Sequence, residues 1–529
     1  MKSAFLPRMT AEMAEKITGR RRAGTILSYL HRHNYFTELH PGGKPVYAYH
    51  PLFRDFLLSR AGALFPAKHL RRLQVRAGAV FEEAGDDEVA VGLFRDAGDW
   101  GGMTRIILRQ AARLARQGRT GLLTEWIASL PKATCERDPW LRYWRGVCRL
   151  PSRPGESQRD FEEAFRRFRL RKEPEGTFLA FSGVVDAHVY GSGSLKPLDP
   201  WFATLADLLK AHRGFPSPEI EAQVTAAVIK GLALRRPSSV DAEDWAARAT
   251  RLAESTRDMS LKFSFLLNVA YYRFHGGDLP ETGLLLDSLR EMSRKPEISP
   301  LQRLTLCWLE AACANMNGLH DRCMKVVTEG IELARATRVH LMDVLLLGHG
   351  ALCSLHRGDA AAAREFLRGM EASLPEARPW EAAFYHYLAA WGALSRGDRV
   401  QALVHSDRCL ARCDEVGNPW SEALAHLQRA SLLEQASESN EARRHLESAM
   451  RIGEESAMRF VRFACLMAGA YFSLRKGDEA AGLASLREGL RLGREKGYVD
   501  IYLWHPGLLE RLAGEALEKG IEADYARDL

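Results

Sequence analysis

From about residue 65 to the end of the chain, apolar side chains recur at spacings of three and four with short polar turns between them. That is the pattern of successive helices, each burying one face. The turns themselves repeat. "GGDLPETG", "NGLHDRC", "RGDAAAA", "RGDRVQA", "ASESNEA" and "KGDEAAG" lead with Gly277, Gly318, Gly358, Gly397, Ser437 and Gly477, at intervals of 41, 40, 39, 40 and 40 residues. Seven residues before each lead position stands Ala270, Ala311, Ala351, Ala390, Ala430 or Ala470, and five after it Thr282, Cys323, Ala363, Ala402, Ala442 or Gly482. Small side chains at both offsets let two antiparallel helices cross closely. A glycine at the turn accepts the left-handed backbone that ends the first helix, and an aspartate after it caps the second.

The first sixty residues read differently. "MTAEMAEKITG" places Met9, Met13 and Ile17 four apart with Gly19 as a stop, and "AGTILSYLHRHN" puts Ile26, Leu27 and Leu30 on one face of a second helix. "YFTELHPGGKPVYAYH" gives two short strands around a Pro-Gly-Gly turn, and Phe53, Phe56 and Leu57 begin a third helix. Helix, helix, hairpin, helix is a winged-helix outline. Arg20, Arg21 and Arg22 could meet phosphates, but three arginines between helices are more often a solvated turn. Upstream of the regular repeats the beat weakens. Pro237 stands forty residues before Gly277, yet its alanine register is lost at Lys230.

The offsets of the regular turns resemble the tetratricopeptide repeat, with a longer unit than that family's thirty-four residues. "AFLPRMTAEMAEKITG", "HNYFTE" and "YHPLFRDFLL" resemble the winged-helix segment that follows the ATPase in the MalT-like family of ATP-dependent bacterial transcription activators. "AGDW", "WIASLP", "RDPWLRYWRGVCRL" and "FPSPEIEAQV" look like the first helices of the sensor domain in that family. The resemblance implies an all-α fold: a tetratricopeptide-like right-handed α-α superhelix with a small N-terminal winged-helix segment. The expected boundaries are residues 1–64 for the winged-helix linker, 65–235 for irregular helical repeats and 236–529 for the forty-residue repeats. In the family the winged helix links the ATPase to the sensor and is not the DNA reader. A P-loop should precede it, but no GxxxxGK[ST] occurs, and "HPGGKPV" has Pro where a magnesium-binding Ser or Thr should stand. Nor does a DNA-binding effector follow "HPGLLERLAGEALEKGIEADYARDL". The expectation is a linker and sensor core without motor or output.

Composition narrows the chemistry. Charged residues are 27% and hydrophobic ones 46%, a globular balance, and the formal charge of +7 is a mild bias over 529 residues. Nine cysteines form no CxxC pair, which favours reduced thiols and a cytoplasmic protein. Cys409 and Cys413 share a helical face, but no further ligand at metal spacing joins them, so packing is preferred to a metal site. No apolar run reaches the length of a membrane span. HExxH, GxSxG and GxGxxG after a strand are missing, so no catalytic residue, metal or cofactor is expected.

The first helices of the repeats should line a concave wall, where positions three before and one after the small residue share a face. They hold Tyr271, Trp308, Tyr387, Trp391 and Tyr471, the candidate ligand-binding residues. Aromatics on a groove stack against a ligand or peptide; the competing reading is packing between repeats, which is the commoner fate of such a stripe. The function expected is a non-catalytic sensor or protein-interaction scaffold that captures an inducer or partner protein in the groove. It would bind no specific DNA directly and contact no membrane. The alternatives are a subunit of a split regulator working with separate ATPase and effector chains, an enzyme with an unrecognised site, and a gene remnant.

Overall fold

The computed structural model describes residues 1–40, 44–191, 193–237, 240–500 and 507–529. Twenty-eight α-helices and one two-stranded sheet account for most of them. No helix among the described residues is long and apolar enough to cross a membrane. The chain forms two compact units, Met1–Cys148 and Arg149–Leu529.

The first unit opens with the winged helix. Helix α1, Ala11–Thr18, starts where the Thr10 hydroxyl accepts the Met13 N–H at 3.3 Å and ends at Gly19, whose left-handed φ of 75° a residue without Cβ adopts without strain. Helix α2, Ala23–Arg32, leads into strand β1, Thr37–His40, which pairs antiparallel with β2, Val46–Tyr49. The expected Pro-Gly-Gly turn lies outside the described residues. Helix α3, Pro51–Leu64, follows with proline in its first turn. Met9 is not part of α1. It bridges Tyr47 with two N–H···O bonds of 2.8 Å, adding a third short segment beside β2. Phe5, Leu6, Met9, Ile17, Leu27 and Tyr49 form the core, while Ile26 points to solvent, so α2 buries a narrower face than its apolar pattern suggests. Six further helices, Ala67–Glu83, Asp87–Ala97, Trp100–Arg116, Thr120–Ala128, Lys132–Arg137 and Pro139–Arg149, continue this unit.

The second unit carries the forty-residue repeat as six helix pairs, from Met259–His275 with Leu279–Met292 to Arg459–Arg475 with Glu479–Lys496. All six turn residues have positive φ, between 63° at Gly318 and 81° at Gly477. All six alanines of the first register are fully buried, and the second register is buried throughout. Small residues therefore stand where the paired helices cross. Asp359, Asp398 and Asp478 cap the following helices, accepting backbone N–H bonds of 3.0 to 3.2 Å.

The two helices of a pair have different surfaces. Pro379–Ser395 buries residues on nearly every side, including Tyr387, Leu388, Ala390 and Trp391. Its partner Arg399–Val416 buries only Ala402, Ser406, Cys409, Cys413 and Val416, one stripe at spacings of three and four. The first helices thus form an inner layer and the second an outer, solvated one.

The inner layer winds tightly enough to meet itself. The Leu195 N–H donates to the Val416 carbonyl at 2.8 Å, the Ser194 hydroxyl reaches the same carbonyl at 3.2 Å, and Lys196 pairs with Asp414 at 3.0 Å. Arg235 donates to the Gly417 carbonyl at 3.0 Å. At a second seam the Tyr498 hydroxyl donates to the Gly277 carbonyl, 221 residues away in sequence. Asp278, instead of capping its helix, lies 3.8 Å from Arg459 and 3.5 Å from Lys496. Trp420 fills the space between turns, with its ring centroid 5.5 Å from His275, 5.8 Å from Phe274 and 5.6 Å from Phe460. The fold of this unit is a tetratricopeptide-like α-α superhelix whose winding encloses part of its own groove.

Candidate functional site

Where the winding leaves room, the inner helices surround a cavity of about 270 Å³, continued by a smaller lobe of about 110 Å³. Tyr271, Trp308, Trp380, Asn418 and Ser421 border both. Helices that touch only their neighbours in an open solenoid here face one another across the groove, as Pro218–Arg235 faces Pro419–Gln435.

The cavity wall is mostly apolar with polar groups at fixed places, the usual make-up of a small-molecule site. Lys230 lies 2.7 Å from Asp186 and 3.3 Å from the Tyr190 hydroxyl, with its ammonium 4.4 Å from the Tyr190 ring centre. Burial opposes its charge, but Asp186 and Tyr190 outweigh that and hold Lys230 above the ordinary lysine value. Asn268 is anchored by donating to the Ala226 carbonyl at 2.8 Å, and Gln302 by donating to the Ser264 hydroxyl at 2.8 Å.

Arg378 stands just before the inner helix Pro379–Ser395 and is buried. Its backbone N–H donates to Glu381 Oε2 at 2.8 Å, and its Nη2 donates to the Leu341 carbonyl at 2.7 Å and to Glu381 Oε1. The guanidinium lies over the Trp380 ring, 4.2 Å from its centre. Arg378 Nη1 and Trp308 Nε1 are buried with no hydrogen-bond partner among the described residues. The Trp308 ring is 5.2 Å from that of Tyr271. In the lobe, burial lowers His275 to about 4, partly offset by the 2.9 Å bond between its Nδ1 and the Tyr271 carbonyl. Burial also lowers His349 to about 3. Both are neutral at pH 7.

The five aromatics expected on the wall are divided by the structure. Tyr271 and Trp308 line the cavity and its lobe, and Tyr387 lines the lobe. Trp391 has no exposed surface, packs edge-on against Tyr387 with ring centres 6.1 Å apart, and borders neither space. Tyr471 is buried beneath the guanidinium groups of Arg475 and Arg511, 5.8 and 5.9 Å from its ring centre, also away from both. Lys230, Asp186, Arg378, Trp380, Asn268 and Gln302 were not identified from the sequence. A signal existed for half of them. The inner stripe continues six and nine or ten residues before each small position, where Ser264, Leu261, Thr305, Gln302 and Trp380 stand. Lys230 is the residue that breaks the alanine register, and a break in an otherwise consistent pattern is where a site is expected.

By fold, then, the chain is a winged helix joined to a tetratricopeptide-like helical solenoid. Residues 1–69 match the family model of the MalT winged helix domain, so the N-terminal module is of the MalT-like kind. No curated protein matches the sequence. Among solved structures, the chain is similar to a Rap protein complexed with competence and sporulation factor, at 13% identity over 58% of this chain and 89% of that one, with a TM-score of 0.42. It is similar to NprR in complex with its cognate peptide NprX, at 12% identity over 56% and 84%, with a TM-score of 0.39. Yeast Tom70 is similar at 11% identity over 87% and 98%, with a TM-score of 0.34.

Proposed function

We propose that this chain is the sensor and interaction scaffold of a MalT-like transcription regulator, and that its solenoid captures a small-molecule inducer within the closed groove. The observation that carries this reading is the cavity of about 270 Å³, walled by aromatic rings and holding buried polar groups. A space so furnished favours an occupant that pairs its unpartnered polar groups, since each forfeits a hydrogen bond without one. A ligand there touches inner helices far apart in sequence, so its binding energy favours the wound form over any looser one. The function is non-catalytic, and the groove offers its polar groups for recognition.

The test is a thermal-shift survey of metabolite fractions on the native protein and on Thr305→Trp, which fills the cavity from its wall. An inducer raises the melting temperature of the native protein and leaves the filled variant unmoved. Equal shifts in both, or none in any fraction, would overturn the reading.

A further inference from the structure

We infer that the cavity is built for a carboxylate carried on a flat apolar body; the inference rests on the ligand-capture reading above. The first argument is a census of hydrogen bonds on the wall. The amides of Asn268 and Gln302 are anchored to neighbouring groups, and Lys230 is held by Asp186 and Tyr190. Asp186 Oδ1 is met only by the Lys230 ammonium at 2.7 Å, and the two remaining wall groups with no hydrogen-bond partner among the described residues, Arg378 Nη1 and Trp308 Nε1, are both donors. Arg378 is 5% exposed and Trp308 9%, so bulk water does not compensate them. A surplus of donors calls for a ligand that brings acceptors. A guanidinium gives its strongest bonds to a carboxylate or a phosphate.

Charge decides between those two. Glu381 already accepts from Arg378 Nη2, and Asp186 neutralises Lys230, so the wall holds two closed ion pairs. A single added negative charge is met by the unpaired Arg378 Nη1 and the Trp308 N–H. A phosphomonoester, which adds nearly two charges in a low-dielectric space, is left undercompensated.

Shape supplies the rest. Tyr271, Trp308 and Trp380 present ring faces or edges to the cavity, a lining that favours a planar apolar partner. An engineered apolar cavity of about 150 Å³ takes up benzene. A space of about 270 Å³ therefore suits one or two fused rings with a short acidic arm.

Calorimetry with benzoate, 2-naphthoate and indole-3-propionate, alongside 2-naphthamide and 2-naphthyl phosphate, tests this on the full chain. At least one carboxylate binds, at least tenfold more tightly than the amide and the phosphate. Trp308→Phe keeps the ring and loses the donor, and weakens that carboxylate at least threefold with the amide unchanged. Arg378→Gln combined with Glu381→Gln removes the fork without stranding a buried charge, and abolishes the preference for the carboxylate. Circular dichroism confirms that both variants fold. If the amide binds as tightly as the acid, the cavity is a ligand site but the carboxylate assignment fails. Preference for the phosphate also overturns it. If none of the five probes binds, this inference falls, while the capture of an inducer still stands or falls by the Thr305→Trp comparison.

Discussion

The inner wall near Tyr271 and Trp308 and the inner wall near Trp391 and Tyr471 are written in the same register, and they do different things. In the first, the facing turn of the superhelix stands back and leaves a cavity. In the second, the rings are packed, Trp391 against Tyr387 and Tyr471 beneath two arginines. Periodicity says which face of a helix looks inward. It does not say how far away the opposite wall is, and that distance separates a cavity-lining residue from a core residue.

The sharpest way to break this comparison is to truncate the packed member. Trp391→Ala should cost about 3 to 5 kcal/mol, the range for deleting a large buried side chain, read from denaturant midpoints. A loss below 1 kcal/mol would return Trp391 to the groove. Ala390→Leu, at the closest crossing of its helix pair, should cost about 1 to 3 kcal/mol through overpacking. Ser437 occupies with φ of 65° the turn position that glycine fills in the other five repeats, so Ser437→Gly should stabilise by about 1 kcal/mol. Destabilisation there would mean the Ser437 side chain contributes a contact that the turn geometry does not reveal.

Acid should act on the cavity wall in one direction. The unfolded chain takes up protons on His275 and His349 near pH 6.5, whereas the folded chain refuses them down to about 4 and about 3. Their linkage therefore costs nothing above pH 6.5, and stability falls as pH drops from there toward 4. Replacing both by Gln should make the fall of urea midpoints across that window shallower, the remainder coming from other buried histidines such as His386 and His426, each lowered to about 4. Trp308→Phe keeps most of the buried ring and should change stability by less than about 1.5 kcal/mol.

Much of the fold was legible because its determinants are local. The left-handed turns at Gly277, Gly318, Gly358, Gly397 and Gly477, the buried alanines before them and the small residues after them all follow from helix geometry at short range. The winged helix was legible in its hairpin and its caps, while Met9 was read as helical and instead bridges Tyr47, because a single pair of strand bonds leaves no periodic trace. The site was legible only in part. Tyr271, Trp308 and Tyr387 sit on the expected stripe, but Arg378 precedes its helix and Lys230 belongs to an irregular unit. What gathers them is the closure of the winding, set by contacts such as Leu195 with Val416 that join residues more than two hundred positions apart. No short-range pattern encodes that.

The seam at Gly277 bears on how such a chain can change over evolutionary time. Gly277 offers its carbonyl to Tyr498, and a Cβ there would lie 2.9 Å from the Phe460 nitrogen, so the first turn of the array is fitted to one particular later unit. Open solenoids gain and lose whole repeats by recombination, because each unit asks only for a neighbour. Here the loss or duplication of one forty-residue unit between Gly277 and Tyr498 would bring the wrong turn to the seam and open the winding around the cavity. The repeat number is thereby held constant, and a lineage carrying this architecture is free to vary the side chains on the wall but not the count of units that build it.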